Sequence, residues 1–165
     1  MRILYAVGFT DWWGRYPPDI LDREDSGTIG GGEQCAVRTA AGLVDRGHSV
    51  VFCSVARPGT WRGVEFVPGY DLLRTYLHAG PWDAVCAWTD PWPLALAEAG
   101  EGRLVVQQLN DLGWIGPWWR HVDVIAPASD HHGRFLRSVA PPEALGIPIS
   151  PIHNASLFRR IAQIR

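Results

Sequence analysis

The residues best suited to chemistry are a glycine run and three clusters that set tryptophan beside Asp or Asn. Gly27-Thr28-Ile29-Gly30-Gly31-Gly32-Glu33 leads straight into the clearest helical pattern of the chain. Glycines there keep Cβ atoms out of a ligand's way, and a helix N-terminus offers unpaired N–H groups with partial positive charge. A phosphate or carboxylate suits Gly30, Gly31 and Gly32, and Glu33 can accept hydrogen bonds from ligand hydroxyls. A hinge with an ordinary capping acid is the plainer alternative. The clusters are Asp11-Trp12-Trp13, Asp90 between Trp88 and Trp92, and Asn110-Asp111 followed by Trp114, Trp118 and Trp119. Tryptophan faces stack on the apolar faces of sugar rings or on an aromatic ligand, with Asp11, Asp90 and Asp111 available for hydroxyls. Anchoring of long loops to a core would use the same residues. Asn110 can hydrogen-bond a hydroxyl but is no base near neutral pH, whereas Asp111 can act as a base or orient an acceptor. An Asx turn closing a strand is the structural alternative for that pair.

What the composition lacks is equally informative. All 15 basic residues are arginine, which excludes a Schiff-base lysine and a Walker A lysine. A net charge of −2 gives no electrostatic footprint for nucleic acid. The glycines lie far beyond the first apolar run, Cys35 takes the place of a third fingerprint glycine, and the second strand pattern ends in Cys53-Ser54, so NAD binding is disfavoured. Cys35, Cys53 and Cys86 have no metal-ligand spacing and read as reduced core thiols of a cytoplasmic protein. His131 and His132, adjacent on a helical pattern, point about 100° apart and make a poor metal pair. No metal or cofactor is expected. No apolar run approaches the roughly 20 residues that span a bilayer. Contact of Trp114-Ile115-Gly116-Pro117-Trp118-Trp119 with a membrane surface is disfavoured because only Arg120 adds a neighbouring positive charge.

The elements that must position these residues alternate between strand and helix, which defines an α/β domain with a mainly parallel sheet. Strands are predicted over Arg2 to Val7, Ser49 to Ser54, Val64 to Val67, Asp83 to Trp88, Arg103 to Gln108 and Val122 to Ala126, with a short final one over Ile149 to Ile152. Most are apolar on both faces, as parallel strands covered by helices on each side require. The best helix runs from Gly32 to about Arg46, with Val37, Ala40, Ala41 and Val44 as its buried stripe and Gly47 as its stop. Further helices are predicted over Asp71 to His78, Trp92 to Ala99 and Ser129 to Val139, the last capped by Ser129. The segment Phe9 to Gly31 is long for a connection and has the composition of a binding loop. All 165 residues fit one domain. The three tryptophan clusters all follow predicted strand ends, the edge where open α/β sheets bind ligands.

A first strand, a long loop, Gly30-Gly31-Gly32-Glu33, and then a helix closing in Leu43-Val44-Asp45-Arg46-Gly47-His48-Ser49-Val50 resembles the N-terminal domain of GT-B-fold glycosyltransferases, in particular the retaining family 4 group. Val122-Asp123-Val124-Ile125-Ala126-Pro127-Ala128-Ser129 is similar to that family's strand followed by a serine-capped helix. Ile152-His153-Asn154-Ala155-Ser156 is similar to the stretch that leaves the domain. The resemblance implies a Rossmann-like three-layer domain with about six or seven strands. It implies sugar transfer from a nucleotide-sugar donor, as co-substrate, to a sugar or small-molecule acceptor, with no obligatory metal. The N-terminal half holds the acceptor, and its glycine loop, here Gly30, Gly31 and Gly32 with Glu33 beside it, faces the donor diphosphate. Where relatives often carry a histidine-containing turn, this chain has Asn110-Asp111, which leaves Asp111 as the candidate catalytic residue. Asp11, Trp12, Trp13, Asp90, Asn110 and Trp114 are the acceptor-binding candidates.

The family's donor-binding half would follow Arg165 or come as a partner chain, so the domain alone is expected to bind acceptor and transfer little sugar. The competing readings are a non-catalytic sugar- or nucleotide-binding module and an unrelated flavodoxin-like domain.

Overall fold

The computed structural model describes residues 1–7, 31–54, 58–68, 79–88, 104–109, 120 and 122–151. Over these the chain is α/β. The strands are β1 (Arg2–Val7), β2 (Ser49–Ser54), β3 (Gly59–Trp61), β4 (Val64–Pro68), β5 (Ala84–Trp88), β6 (Leu104–Leu109) and β7 (Val124–Pro127). They form one sheet ordered β3-β4-β2-β1-β5-β6-β7. Every neighbouring pair is parallel except β3 with β4. Helices α1 (Gly31–Val44) and α2 (Asp130–Val139) accompany it, followed by a 3₁₀ turn at Pro142–Ala144.

Pleating sorts the apolar runs onto two faces. Ile3, Tyr5 and Val7 share one face with Val50, Phe52, Val64, Phe66, Ala84 and Trp88, while Leu4, Ala6, Val51, Cys53, Val85 and Ala87 share the other. The first face carries an aromatic row. Tyr5 stacks on Phe52 at 5.4 Å between ring centroids, and Phe52 meets Phe66 at 4.9 Å. Bulk in the sheet leaves room only for small residues above it, and α1 supplies them as Cys35, Ala36, Val37, Ala40 and Ala41. Val37, Ala40 and Ala41 of the predicted stripe are buried, with Val44 partly so. On the opposite face α2 contributes Leu136, packed in a cluster with Ile125, Trp82 and Val122. Gly133 lets α2 approach closely, since a Cβ there would lie 3.3 Å from Ile149 and 3.4 Å from Pro127.

Local signals account for the element ends. Gly47, at φ +84°, turns the chain out of α1, and Ser49 N–H then donates to Met1 C=O to begin the β1–β2 ladder. Ser129 caps α2 as predicted, its hydroxyl accepting from the His132 N–H at 3.1 Å. The short strand predicted at Ile149 is a single parallel bridge to Ile125, held by the bonds Ile125 N–H to Pro148 C=O and Ser150 N–H to Ile125 C=O.

The β3–β4 hairpin is an addition to the sequence reading. Its two-residue turn, Arg62-Gly63, has positive φ at both positions, as a type I′ turn requires. Arg62 lies over the Trp61 ring at 4.7 Å. The predicted helices at 71–78 and 92–99 lie outside the described residues.

Candidate functional site at the carboxyl edge of the sheet

Counting only parallel strands in chain order, the sheet reads 3-2-1-4-5-6, and the direction of winding reverses between β1 and β5. In open α/β sheets such a reversal leaves a crevice at the carboxyl ends of the two strands, because their following connections diverge to opposite sides. A flavodoxin-like sheet has one parallel strand outside the first, whereas two, β2 and β4, lie outside β1 here. That overturns the flavodoxin-like alternative. The last register pair at the reversal is Val7 with Trp88, so these residues form the root of the crevice.

The glycine helix start is at this edge. Since β1 and β2 are parallel and α1 connects them, α1 runs back across the sheet and begins at the carboxyl side. Gly31, Gly32 and Glu33 form its first turn, one residue earlier than predicted, and Gly30 lies outside the described residues. The first-turn N–H groups have no partners within the helix, which is the basis of an anion site. Gly32 lies inside a helix and is not among the positive-φ residues, so its backbone conformation does not call for glycine. Glycine in a helix costs up to about 1 kcal/mol relative to alanine. Freedom from a side chain, rather than backbone conformation, is therefore what glycine supplies there.

Beneath α1 lies a buried group of weak acids. Tyr5 and Cys35 both hydrogen-bond Thr39, one turn further along the helix from Cys35. Burial, with the neighbouring Cys86 and Cys35 adding to it, holds the Tyr5 phenol well above its ordinary value. Burial raises Cys35 as well, and pushes Cys53 and Cys86 up to about 12. None of the three thiols is in a disulfide and all remain protonated near neutral pH, so none is a ready nucleophile or soft-metal ligand. Cys35 and Cys53 are core thiols as predicted, whereas Cys86 is half-buried against the α1-side cluster.

Asp11, Trp12, Trp13, Asp90, Asn110, Asp111 and Trp114 lie outside the described residues. The strands they follow, β1, β5 and β6, are parallel and end at the same edge. Trp88 differs from a stacking platform, because it is fully buried in the α1 face. Trp82 is likewise a core residue, with Arg2 over its ring at 4.2 Å.

Two polar atoms escaped the sequence reading. Among the described residues, the buried side-chain nitrogen or oxygen atoms without a hydrogen-bond partner are Trp88 Nε1 and His132 Nε2. His131 is exposed whereas His132 is buried, so the predicted divergence of the pair turns one of them into the protein. Among the described residues no set of three or more His, Cys, Asp and Glu is grouped to hold a metal ion. Nor is any described helix long and apolar enough to cross a membrane. No protein-family model and no curated protein sequence matches the chain.

Proposed function

We propose that this chain is the acceptor-side half of a GT-B glycosyltransferase, a Rossmann-like three-layer domain that binds a sugar or small-molecule acceptor. The observation that carries the reading is the glycine-started helix α1 at the carboxyl edge, next to the reversal of strand order between β1 and β5. That placement suits a phosphate-bearing or polyhydroxylated ligand, since first-turn N–H groups and partial positive charge face it. In this reading Gly30, Gly31 and Gly32 face the donor diphosphate and Glu33 takes hydroxyls. Asp90, Asn110 and the tryptophans Trp12, Trp13 and Trp114 hold the acceptor, with Asp11 beside them and Asp111 as base or orienting group. A second Rossmann-like unit, in the same polypeptide or on a partner chain, supplies the nucleotide pocket and the groups that stabilise the departing diphosphate. No metal is required by the reading, and the nucleotide sugar is a co-substrate.

Calorimetric titration of the chain with UDP-glucose, GDP-mannose and a panel of sugar and phenolic acceptors tests it. Saturable heat with an acceptor, together with little or no turnover in a sugar-transfer assay, is the expected result. Repeated turnovers by the isolated chain would refute the assignment of a half-site. Nucleotide-sugar binding with no acceptor binding would instead favour a binding module.

A further inference from the structure

We propose that residues 157–164 dock on this same domain as an amphipathic helix, covering the α1 face of the sheet at β5, β6 and β7. The proposal is independent of any role in sugar transfer.

The strand order assigns cover to the two faces unequally. Crossovers between parallel strands of one sheet are right-handed, so the direction in which strands are added decides which face a connection crosses. α1, leading outward from β1 to β2, packs on one face over β2 and β4. β5, β6 and β7 are added in the opposite direction, and the rule gives the crossovers into them to the other face. α2, continuing in that direction from β7 to the Ile149 bridge, does lie on that other face, where Leu136 clusters with Leu4, Val85 and Ile125. The rule therefore leaves no crossover helix for the α1 face at β5, β6 and β7.

Exposure agrees with this. Tyr5 of β1, Cys86 of β5, Val106 of β6 and Val124 of β7 hold one row in register across the sheet. Tyr5, clustered with Cys35 of α1, is buried, whereas Cys86 and Val124 are only partly so. On the other face Val85 and Ile125 are both fully buried. Apolar parallel strands of this kind are covered on both sides, so the row calls for a layer that the crossovers do not supply. The next row toward the carboxyl edge, with Trp88 and Ala126, is buried, which confines the opening to the middle of the strands.

The sequence past Pro151, where the described residues end, has a matching face. At helical spacing Leu157, Phe158, Ile161, Ala162 and Ile164 share an arc of about 160°, and Arg159, Arg160 and Gln163 take the other side. Ser156 suits the N-cap. The Ile149–Ile125 bridge leaves the chain at the free edge of β7, two strands or roughly 10 Å from Cys86. Residues 152–156 reach up to about 17 Å when extended. A helix over 157–164 is about 12 Å long, enough to cross the row from β7 to β5.

Disulfide scanning of the full chain tests the docking. Leu157→Cys, Ile161→Cys, Ile164→Cys, Arg159→Cys and Gln163→Cys are each oxidised with copper phenanthroline, and links to Cys86 are mapped by mass spectrometry. At least one apolar-face variant should link to Cys86 of its own chain about tenfold faster than Arg159→Cys and Gln163→Cys, because only Cβ atoms about 3.5–4.5 Å apart close a disulfide readily. Ile161→Asp should speed alkylation of Cys86 by iodoacetamide several-fold, and Arg159→Asp should leave it unchanged. Equal linking from both sides of the segment, links between two chains only, or wild-type alkylation of Cys86 in Ile161→Asp would overturn the proposal. The sugar-transfer reading stands or falls separately. Should Ile161→Asp not fold, the pattern of links alone decides.

Discussion

Replacing Gly32 with aspartate would set the stability of α1 against its capacity for an anion. Gly32 is the second residue of the helix, so the new carboxylate would stand within the first turn, where the macrodipole favours negative charge by about 0.3–1 kcal/mol. For a domain of this size that corresponds to a melting midpoint higher by roughly 1–4 °C. An anion resting on the first-turn N–H groups would lie on the order of 5 Å from that carboxylate. Coulomb's law then gives a repulsion of about 1 kcal/mol in bulk water and about 3 kcal/mol at an effective dielectric of 20. Binding of UDP should weaken by roughly 5- to 150-fold, and part of the loss should be recovered in high salt as screening shortens the interaction. Calorimetry with UDP at two salt concentrations, beside a thermal melt of each protein, reads both quantities. Gly32→Ala separates the effect of bulk from that of charge. Unchanged UDP affinity in Gly32→Asp, with the wild type binding, would refute an anion site at this helix start, and a lower melting midpoint would refute the helix argument itself.

Gly63→Ala should cost about 1–3 kcal/mol in urea denaturation, because its φ of +77° and a Cβ only 2.8 Å from Val44 Cγ1 both oppose a side chain; combining it with Val44→Ala should recover the contact part of the loss. Ser129→Ala removes the cap of α2 and should destabilise by about 1 kcal/mol, read as a shift in the same urea midpoint. For Cys53 and Cys86, raised to about 12 in the folded chain, the unfolded state loses its protons first as pH rises. Their contribution is therefore complete below the ordinary thiol value and should drain away between about pH 9 and 12, with a shallower decline in Cys53→Ala measured by denaturation across that range.

Much of the architecture was legible because parallel strands buried on both faces are written as unbroken apolar runs. Residues 2–7 and 49–54 match the observed strands at both ends, and the remaining long strands differ by one or two residues. The β3 strand escaped because Gly59-Thr60-Trp61 is short and mostly exposed, so it carries neither an apolar run nor an alternation. Its turn uses Arg62-Gly63, a weaker signal than Asn-Gly. Strand order is a different matter. Nothing local tells Val85 that it will lie beside Leu4 rather than at a sheet edge, since that pairing is settled by which crossovers can pack. The glycine helix start was readable from its own residues. The partnerless state of Trp88 Nε1 was not, because periodicity reports which face a side chain takes and not whether its polar atom meets a partner.

The central place of β1 has a consequence for how the chain is made. β1 is synthesised before both of its neighbours, which come from residues 49–54 and 84–88, and the Arg2–Asp83 hydrogen bond joins positions 81 residues apart. One flank can form once β2 and β4 exist, while the strand's other edge stays unpaired until β5 has been made. Contacts this distant in sequence slow folding. Deleting residues 2–7 would remove the seam that joins β3-β4-β2 to β5-β6-β7 and leave two half-sheets with nothing between them.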